Sequence, residues 1–284
     1  MTVAKDIVAG AGTRYGVTFP LGTDGLPNVT VASATLIQGT LIQGIKSANI
    51  DDPDPRPVNH VGNDGVLAAD SLPPTSVGAV TVDTAATNLA LDALFEGNKV
   101  RTLGNTKWRA VNSDKAGNEA QVLMAFYRQA IDVDPTSATY GKLRQWHGAL
   151  FPSIRVSPKS QPFGEAETNK SYNGIPTPVK DTPWGESLDE TDWGASRAEY
   201  LEFTMNYHPR FNAGLGNGTL VSFVLSHPPF SSAELLVFNC TTGAVLTPTG
   251  VTTTSANPSF TLGAAVADGT KLFVVIGTNE PGES

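Results

Sequence analysis

Residues 199–207, with the sequence EYLEFTMNY, alternate strictly between apolar and polar side chains. Apolar residues occupy every second position from Leu201 to Tyr207, and polar residues fill the positions between them. Because successive side chains of a β-strand point to opposite faces, the pattern predicts a strand with one buried face. This segment indicates where a purely β region of the chain begins.

Downstream of it, short β-branched and apolar runs follow one another, divided by turn formers such as Thr242-Gly243 and Asp268-Gly269. The further predicted strands cover residues 219–226, 233–241, 244–247, 251–254, 259–262 and 271–278. Seven short strands over roughly a hundred residues are typical of an immunoglobulin-like β-sandwich. We therefore predict such a domain at residues 183–284, with an alternative boundary near residue 214.

Upstream, residues 176–193 are rich in Pro, Gly and acidic residues and are predicted to be an interdomain linker, which makes residues 1–182 a first domain. The strands predicted there cover residues 29–45, 78–83, 139–147, 153–157 and 168–175. The spacing of apolar residues over 119–131 predicts an amphipathic α-helix, the central helix of this domain. Residues 87–95 fit either a short helix capped by Thr87 or another strand.

Two segments of the first domain are predicted to lack regular structure. Residues 10–16 read as a flexible N-terminal segment because of their glycines. Residues 46–75 carry many Asp, Pro, Asn and Gly residues, which favour turns and loops and offer little to bury. Since long loops in compact domains are often functional, loop 46–75 is either a contact arm or a mobile surface loop, and the sequence favours neither.

Composition limits the function further. Of the 284 residues, 40% are hydrophobic and 16% are charged, and no Gly-X-Y period occurs, which excludes wholesale disorder and collagen. The formal net charge is −8, so we expect no basic surface of the kind that binds nucleic-acid phosphates. We also expect no membrane partner, because no apolar run has the length needed to cross a bilayer.

Sequence patterns of catalytic and metal sites are missing from the chain. The four histidines, His60, His147, His208 and His227, stand singly, without a second ligand at metal-binding spacing. The single cysteine, Cys240, lies in an apolar run and is expected to be a buried, inert thiol. We therefore predict a protein that is not an enzyme, with no catalytic residues, no cofactor and no metal site.

Three stretches carry a family resemblance. Residues 151–158 (FPSIRVSP), 163–168 (FGEAET) and 172–176 (YNGIP) resemble the closing pair of tube strands in the major tail tube proteins of long-tailed bacteriophages with non-contractile tails. The predicted helix and loop 46–75 support the resemblance by their positions. Residues 267–277 (ADGTKLFVVIG) are similar to the immunoglobulin-like modules of phage virion proteins. The family has no signature motif, so no functional residue is transferred individually.

The resemblance implies a structural subunit of the virion tail, made in the cytoplasm of a host bacterium. Its fold would be mainly β, with a sandwich- or barrel-forming tail tube domain at 1–182 and an immunoglobulin-like sandwich at 183–284. Six copies would pair their sheets edge to edge in a ring, and rings would stack into a hollow tube. The partners would be further copies, reached across rings by loop 46–75, and other tail proteins. DNA would pass through the acidic lumen without specific binding.

Two alternatives remain open. The chain fits another β protein of the virion, such as a tail terminator or a capsid decoration protein. It also fits a carbohydrate-binding adhesive β-sandwich, in which Trp184 and Trp193, each followed by glycine, would stack on sugar rings.

Overall fold

The structure, a computed structural model, describes residues 8–51, 56–62, 65–72, 78–85, 88–96, 99–109, 120–136, 140–141, 143–160, 170–177, 200–254 and 256–279. The described chain is mainly β, as predicted, with antiparallel sheets and one α-helix, α1 (Leu89–Phe95). The strands of the first half are, in order, β1 (Val8–Pro20), β2 (Ile37–Gln38), β3 (Thr40–Ile42), β4 (Ile45–Asp51), β5 (Arg56–Gly62), β6 (Gly65–Leu72), β7 (Ala79–Thr84), β8 (Val100–Leu103), β9 (Thr106–Arg109), β10 (Gln121–Asp132), β11 (Leu143–Ser160) and β12 (Lys170–Pro176). Those of the second half are β13 (Leu201–Met205), β14 (His208–Leu215), β15 (Ser222–Val224), β16 (Leu235–Asn239), β17 (Val245–Leu246), β18 (Thr249–Thr252), β19 (Ser259–Thr261) and β20 (Lys271–Thr278).

The largest sheet curls back on itself. Its strand order is β3-β1-β10-β11-β12-β7-β4, and β13 also pairs with β11. The two end strands are consecutive in the chain, because β3 ends at Ile42 and β4 begins at Ile45. Three residues span at most about 11 Å, so the two ends of the sheet must lie close together at this point. Gly44, with φ of 69°, provides the bend between them. We call this element the curled sheet.

Three cores divide the molecule into layers. The first lies inside the curled sheet and contains Met124, Phe151 and Tyr172. The second joins the outer face of that sheet to a five-stranded sheet with the order β17-β16-β20-β14-β2, through residues such as Leu123 and Phe273. The third lies between the five-stranded sheet and the three-stranded sheet β15-β19-β18. The five-stranded sheet is therefore covered on both faces.

The prediction of an α-helix at residues 119–131 is wrong. This segment forms β10, which pairs antiparallel with β1 and β11. Leu123 and Ala125 enter the second core, whereas Met124 and Phe126 enter the first. A strand buried on both faces has a continuous apolar run, and such a run contains the three- and four-residue spacings of a helix as well.

The helix of the structure lies instead within residues 87–95, where the sequence left helix and strand open. Its N-cap is Asn88 rather than Thr87. The Asn88 Oδ1 accepts hydrogen bonds from the backbone N–H groups of Ala90 (3.0 Å) and Leu91 (3.2 Å). These bonds satisfy donors that the first helical turn leaves free, so Asn88 fixes where the helix begins.

The two segments predicted to lack regular structure contain strands. Residues 10–16 belong to β1, which pairs with β10. Within 46–75, β4 continues to Asp51, and β5 and β6 form a hairpin, so the prediction of a loop is wrong for the described residues of this range. Proline at position 57 is compatible with this hairpin because a strand with an unpaired edge tolerates a missing N–H.

The C-terminal half forms two facing sheets, but its strand content differs from the predicted seven. Residues 201–205 pair with β11 in the curled sheet, and the unpredicted strand β14 pairs with β20. The N-terminal strand β2 also joins β14. The division into 1–182 and 183–284 stays a prediction, and most of the predicted linker, from residue 178 onwards, lies outside the described residues.

Candidate functional site

A group of charged side chains lies under helix α1, where apolar residues would be expected. We call it the charge cluster; its members are Asp92, Glu96, Arg109, Lys170 and Tyr172. Asp92 has no exposed surface, and Lys170 is 2% exposed. The Lys170 Nζ contacts the Asp92 Oδ2, and the Arg109 Nη1 contacts the Glu96 Oε2. Two cations and two anions therefore balance one another in a site with little access to water.

The backbone explains how these groups meet. Asp92 lies on α1 and Glu96, four residues later, is its C-cap residue, so their side chains lie on the same side of the helix. Lys170 and Tyr172 are two residues apart on β12, so theirs share one face of the strand. Arg109 ends the hairpin of β8 and β9, and its Nη2 lies 3.7 Å from the Asp92 Oδ2. The charge cluster thus ties the helix and this hairpin to the curled sheet.

Tyr172 completes the cluster as a hydrogen-bond donor. Its hydroxyl donates to the Asp92 Oδ1 over 2.7 Å, inside the protein. Burial of the ring, and then the neighbouring Asp92 carboxylate, raise the pKa of Tyr172 far above its ordinary value. The phenol therefore keeps its proton and remains a donor to Asp92 at any physiological pH.

A cleft of about 170 Å³ opens beside the first core. The residues that line it include the apolar Ile45 and Phe126 and the polar Arg128, His147 and Glu202. Neighbouring strands bring the polar groups together, since Arg128 lies opposite His147 in the ladder of β10 and β11. Among the described lining residues are an imidazole and a carboxylate, but no serine, threonine or cysteine.

The hairpin of β5 and β6 leaves the curled sheet at one point and returns to the same point. Asp51 of β4 pairs with Ala79 of β7, and the hairpin is inserted between them. Among the described strands, β5 and β6 pair only with each other. A ladder of seven residues extends about 20 Å. We call this hairpin, residues 56–72, the arm.

Apolar side chains lie exposed on other elements. In the hairpin of β8 and β9, Leu103 is 65% exposed and Trp108 is 60% exposed. In the five-stranded sheet, Leu236 and Val245 on neighbouring strands are also exposed. Single exposed apolar residues are common, but an exposed tryptophan on a hairpin is typical of a surface that meets another molecule.

Of the histidines singled out in the sequence, His208 and His227 lie close enough for the charge of one to affect the other. His147 lines the cleft, His60 belongs to the arm, and His227 accepts from or donates to the Ser226 hydroxyl at 2.9 Å. His208 is buried against Trp146, with ring centres 4.4 Å apart. Cys240 is buried, as predicted, and its burial raises the pKa of the thiol to about 12.

The charge cluster was not predicted from the sequence. Two of the residues that were singled out there, Trp184 and Trp193, lie outside the described residues. Within the described part of the chain, no three His, Cys, Asp or Glu side chains gather as a metal centre would require. The described residues also contain no helix that is long and apolar enough to span a membrane.

No protein-family model matches the chain, and no curated protein matches it at a significant level.

Proposed function

We propose that this chain is a structural subunit that assembles with copies of itself into the tube of a long, non-contractile bacteriophage tail. The proposal rests on the sequence resemblance described above and is supported chiefly by the arm. Among the described strands, none pairs with the two outer edges of this antiparallel hairpin, and strand edges of this kind favour pairing with another chain.

The position of the arm suits a contact between rings. The arm is inserted between Asp51 at the end of β4 and Ala79 at the start of β7, which pair with each other, and in this proposal its ladder of about 20 Å projects towards the next ring. A contact between this projection and a different surface of the next subunit is heterologous. Heterologous contacts along one axis do not close on themselves and therefore build a filament. The arm thus retains the role that loop 46–75 has in the sequence interpretation, with a different secondary structure.

The charge of the chain suits a conduit for DNA. The formal net charge is −8, and DNA carries one phosphate charge every 1.7 Å or so along its axis. A lumen of the same sign repels the phosphates and lets the genome slide. We expect purified protein at low ionic strength to retain no double-stranded DNA on a filter. Retention that weakens steeply with added salt would contradict this role.

Assembly of arm variants tests the proposal. Residues 56–72 are replaced by a short Asn-Gly turn, and a control variant carries Gly263→Ala, at a position with open space around it, which should form tubes like the unaltered protein. Negative-stain microscopy should show tubes for the unaltered protein and only rings or single subunits for the arm variant. Tubes of ordinary length from the arm variant would refute the role of the arm. Circular dichroism and thermal unfolding establish that both variants fold.

The same images separate the alternatives. Discrete rings from the unaltered chain would favour a tail terminator, and single subunits would favour a decoration protein or a sugar-binding protein. Binding to a glycan array that Trp184→Ala or Trp193→Ala abolishes would support the sugar-binding alternative.

A further inference from the structure

The centre of the charge cluster combines an amine, a carboxyl group and a hydrogen-bond donor in a dry environment. The Lys170 Nζ is in contact with the Asp92 Oδ2, and both side chains are at most 2% exposed. The Tyr172 hydroxyl donates to the other carboxylate oxygen, Oδ1. A buried ion pair contributes little net stability to a fold, because the solvation that each ion loses offsets their attraction.

We propose that Lys170 and Asp92 join through an intramolecular isopeptide bond, formed by the folded chain itself. The chain then carries a covalent cross-link between β12 and helix α1. This modification is independent of whether the protein forms tubes.

The reaction balances without any other reactant. The Lys170 ammonium first gives a proton to the Asp92 carboxylate that its Nζ contacts, which yields a neutral amine and a carboxylic acid. The Nζ lone pair then attacks the Asp92 Cγ and forms the C–N bond. A second Nζ proton passes to the Oδ2 hydroxyl, the Cγ–Oδ2 bond breaks, and one water molecule leaves. The product is a secondary amide that keeps one N–H.

The neighbouring groups have positions that assist each step. The Tyr172 hydroxyl faces Oδ1, the oxygen on which negative charge develops when Nζ attacks, and so acts as an oxyanion donor. The Arg109 Nη2 lies 3.7 Å from Oδ2, the oxygen that leaves. Glu96 contacts Arg109 and balances its charge.

Proximity supplies the driving force that amide formation lacks in water. The fold holds the amine against the carboxyl group, and effective molarities for well-oriented groups reach roughly 10⁵–10⁸ M. Exclusion of water from the cluster also opposes hydrolysis of the amide. Because Lys170 and Asp92 reach each other only after β12 and α1 have packed, the bond forms after folding and not before.

Mass spectrometry of the full chain, purified in its folded state and then denatured, tests the inference. The expected mass is one water, about 18 Da, below that of the sequence. Trypsin should release peptide 47–99, which contains Asp92, joined to peptide 160–180, in which Lys170 is not cleaved. A folded protein with the full sequence mass, or a mass loss with the two peptides separate, would overturn the proposal.

Two variants serve as controls. Lys170→Arg keeps a cation at this position but has no amine that forms a stable amide, so it should have the full mass and separate peptides. Asp92→Asn still presents a carbonyl carbon and should lose ammonia, which yields the same branched peptide as the unaltered chain. A branched peptide that persists in Lys170→Arg would show that another lysine is joined and would also overturn the assignment.

Discussion

The burial of β10 on both faces leads to a quantitative prediction for two adjacent residues. Leu123 and Met124 are 0% and 1% exposed, yet their side chains enter different cores. Truncating either one to alanine removes about three buried carbon or sulfur groups, worth about 2.4 kcal/mol at roughly 0.8 kcal/mol each. The cavity left behind adds to this loss. We therefore expect Leu123→Ala and Met124→Ala each to lower the free energy of unfolding by about 3 kcal/mol.

Equilibrium unfolding in urea measures this change, with the fluorescence of the buried Trp146, which packs in the second core, as a reporter. Arg128→Ala, at an exposed position of the same strand, is the control and should change stability by less than about 0.5 kcal/mol. An amphipathic helix would leave one of two adjacent residues close to its polar face. A loss below about 1 kcal/mol for either Leu123→Ala or Met124→Ala would therefore refute the assignment of β10.

Two further predictions follow from close packing and from burial. A Cβ added at Gly148 would meet the Phe126 carbonyl oxygen and lie 2.6 Å from the Phe203 ring. Gly148→Ala should therefore lower the melting temperature, measured by calorimetry, by several degrees. Gly263→Ala is the control, since open space surrounds Gly263, and it should leave the melting temperature nearly unchanged. Burial, and then Arg210, lower the pKa of His208 from 6.5 to about 3. As the pH drops, His208 takes up a proton in the unfolded chain before it does so in the folded one, so the free energy of unfolding should fall from about pH 6.5 towards pH 3. Urea titrations of His208→Phe should show a weaker decline of the free energy of unfolding over this pH range. A decline equal to that of the unaltered protein would contradict the burial of a neutral imidazole.

Strands covered on both faces were predicted in some places and not in others, since residues 271–278 were assigned correctly to β20 and residues 119–131 were not assigned to β10. Residues 201–205 alternate and were assigned correctly as a strand, whereas β10 resembles a helix in its spacing because both faces are apolar. The strand β14 was missed for another reason. Its residues Pro209, Asn212 and Gly214 are turn formers in isolation, and only pairing with β20 makes them part of a sheet.

The charge cluster shows a limit of a different kind. Asp92 interrupts an otherwise apolar helix segment, which is a signal that the carboxylate has a buried partner. The sequence does not identify Lys170 as that partner, because β8 to β11 separate the two residues and only the folded sheet brings them together. The arm is similar, since its Asp, Asn and Pro residues favour a loop, and its ladder is visible only in the structure.

Electron microscopy of the concentrated, full-length chain tests the central claim most directly. We expect hollow tubes with a regular axial repeat, and end views with six-fold symmetry and an open lumen. A solution that contains only single subunits or isolated rings, under conditions in which the chain is folded, would contradict the proposal that this protein is a tail tube subunit.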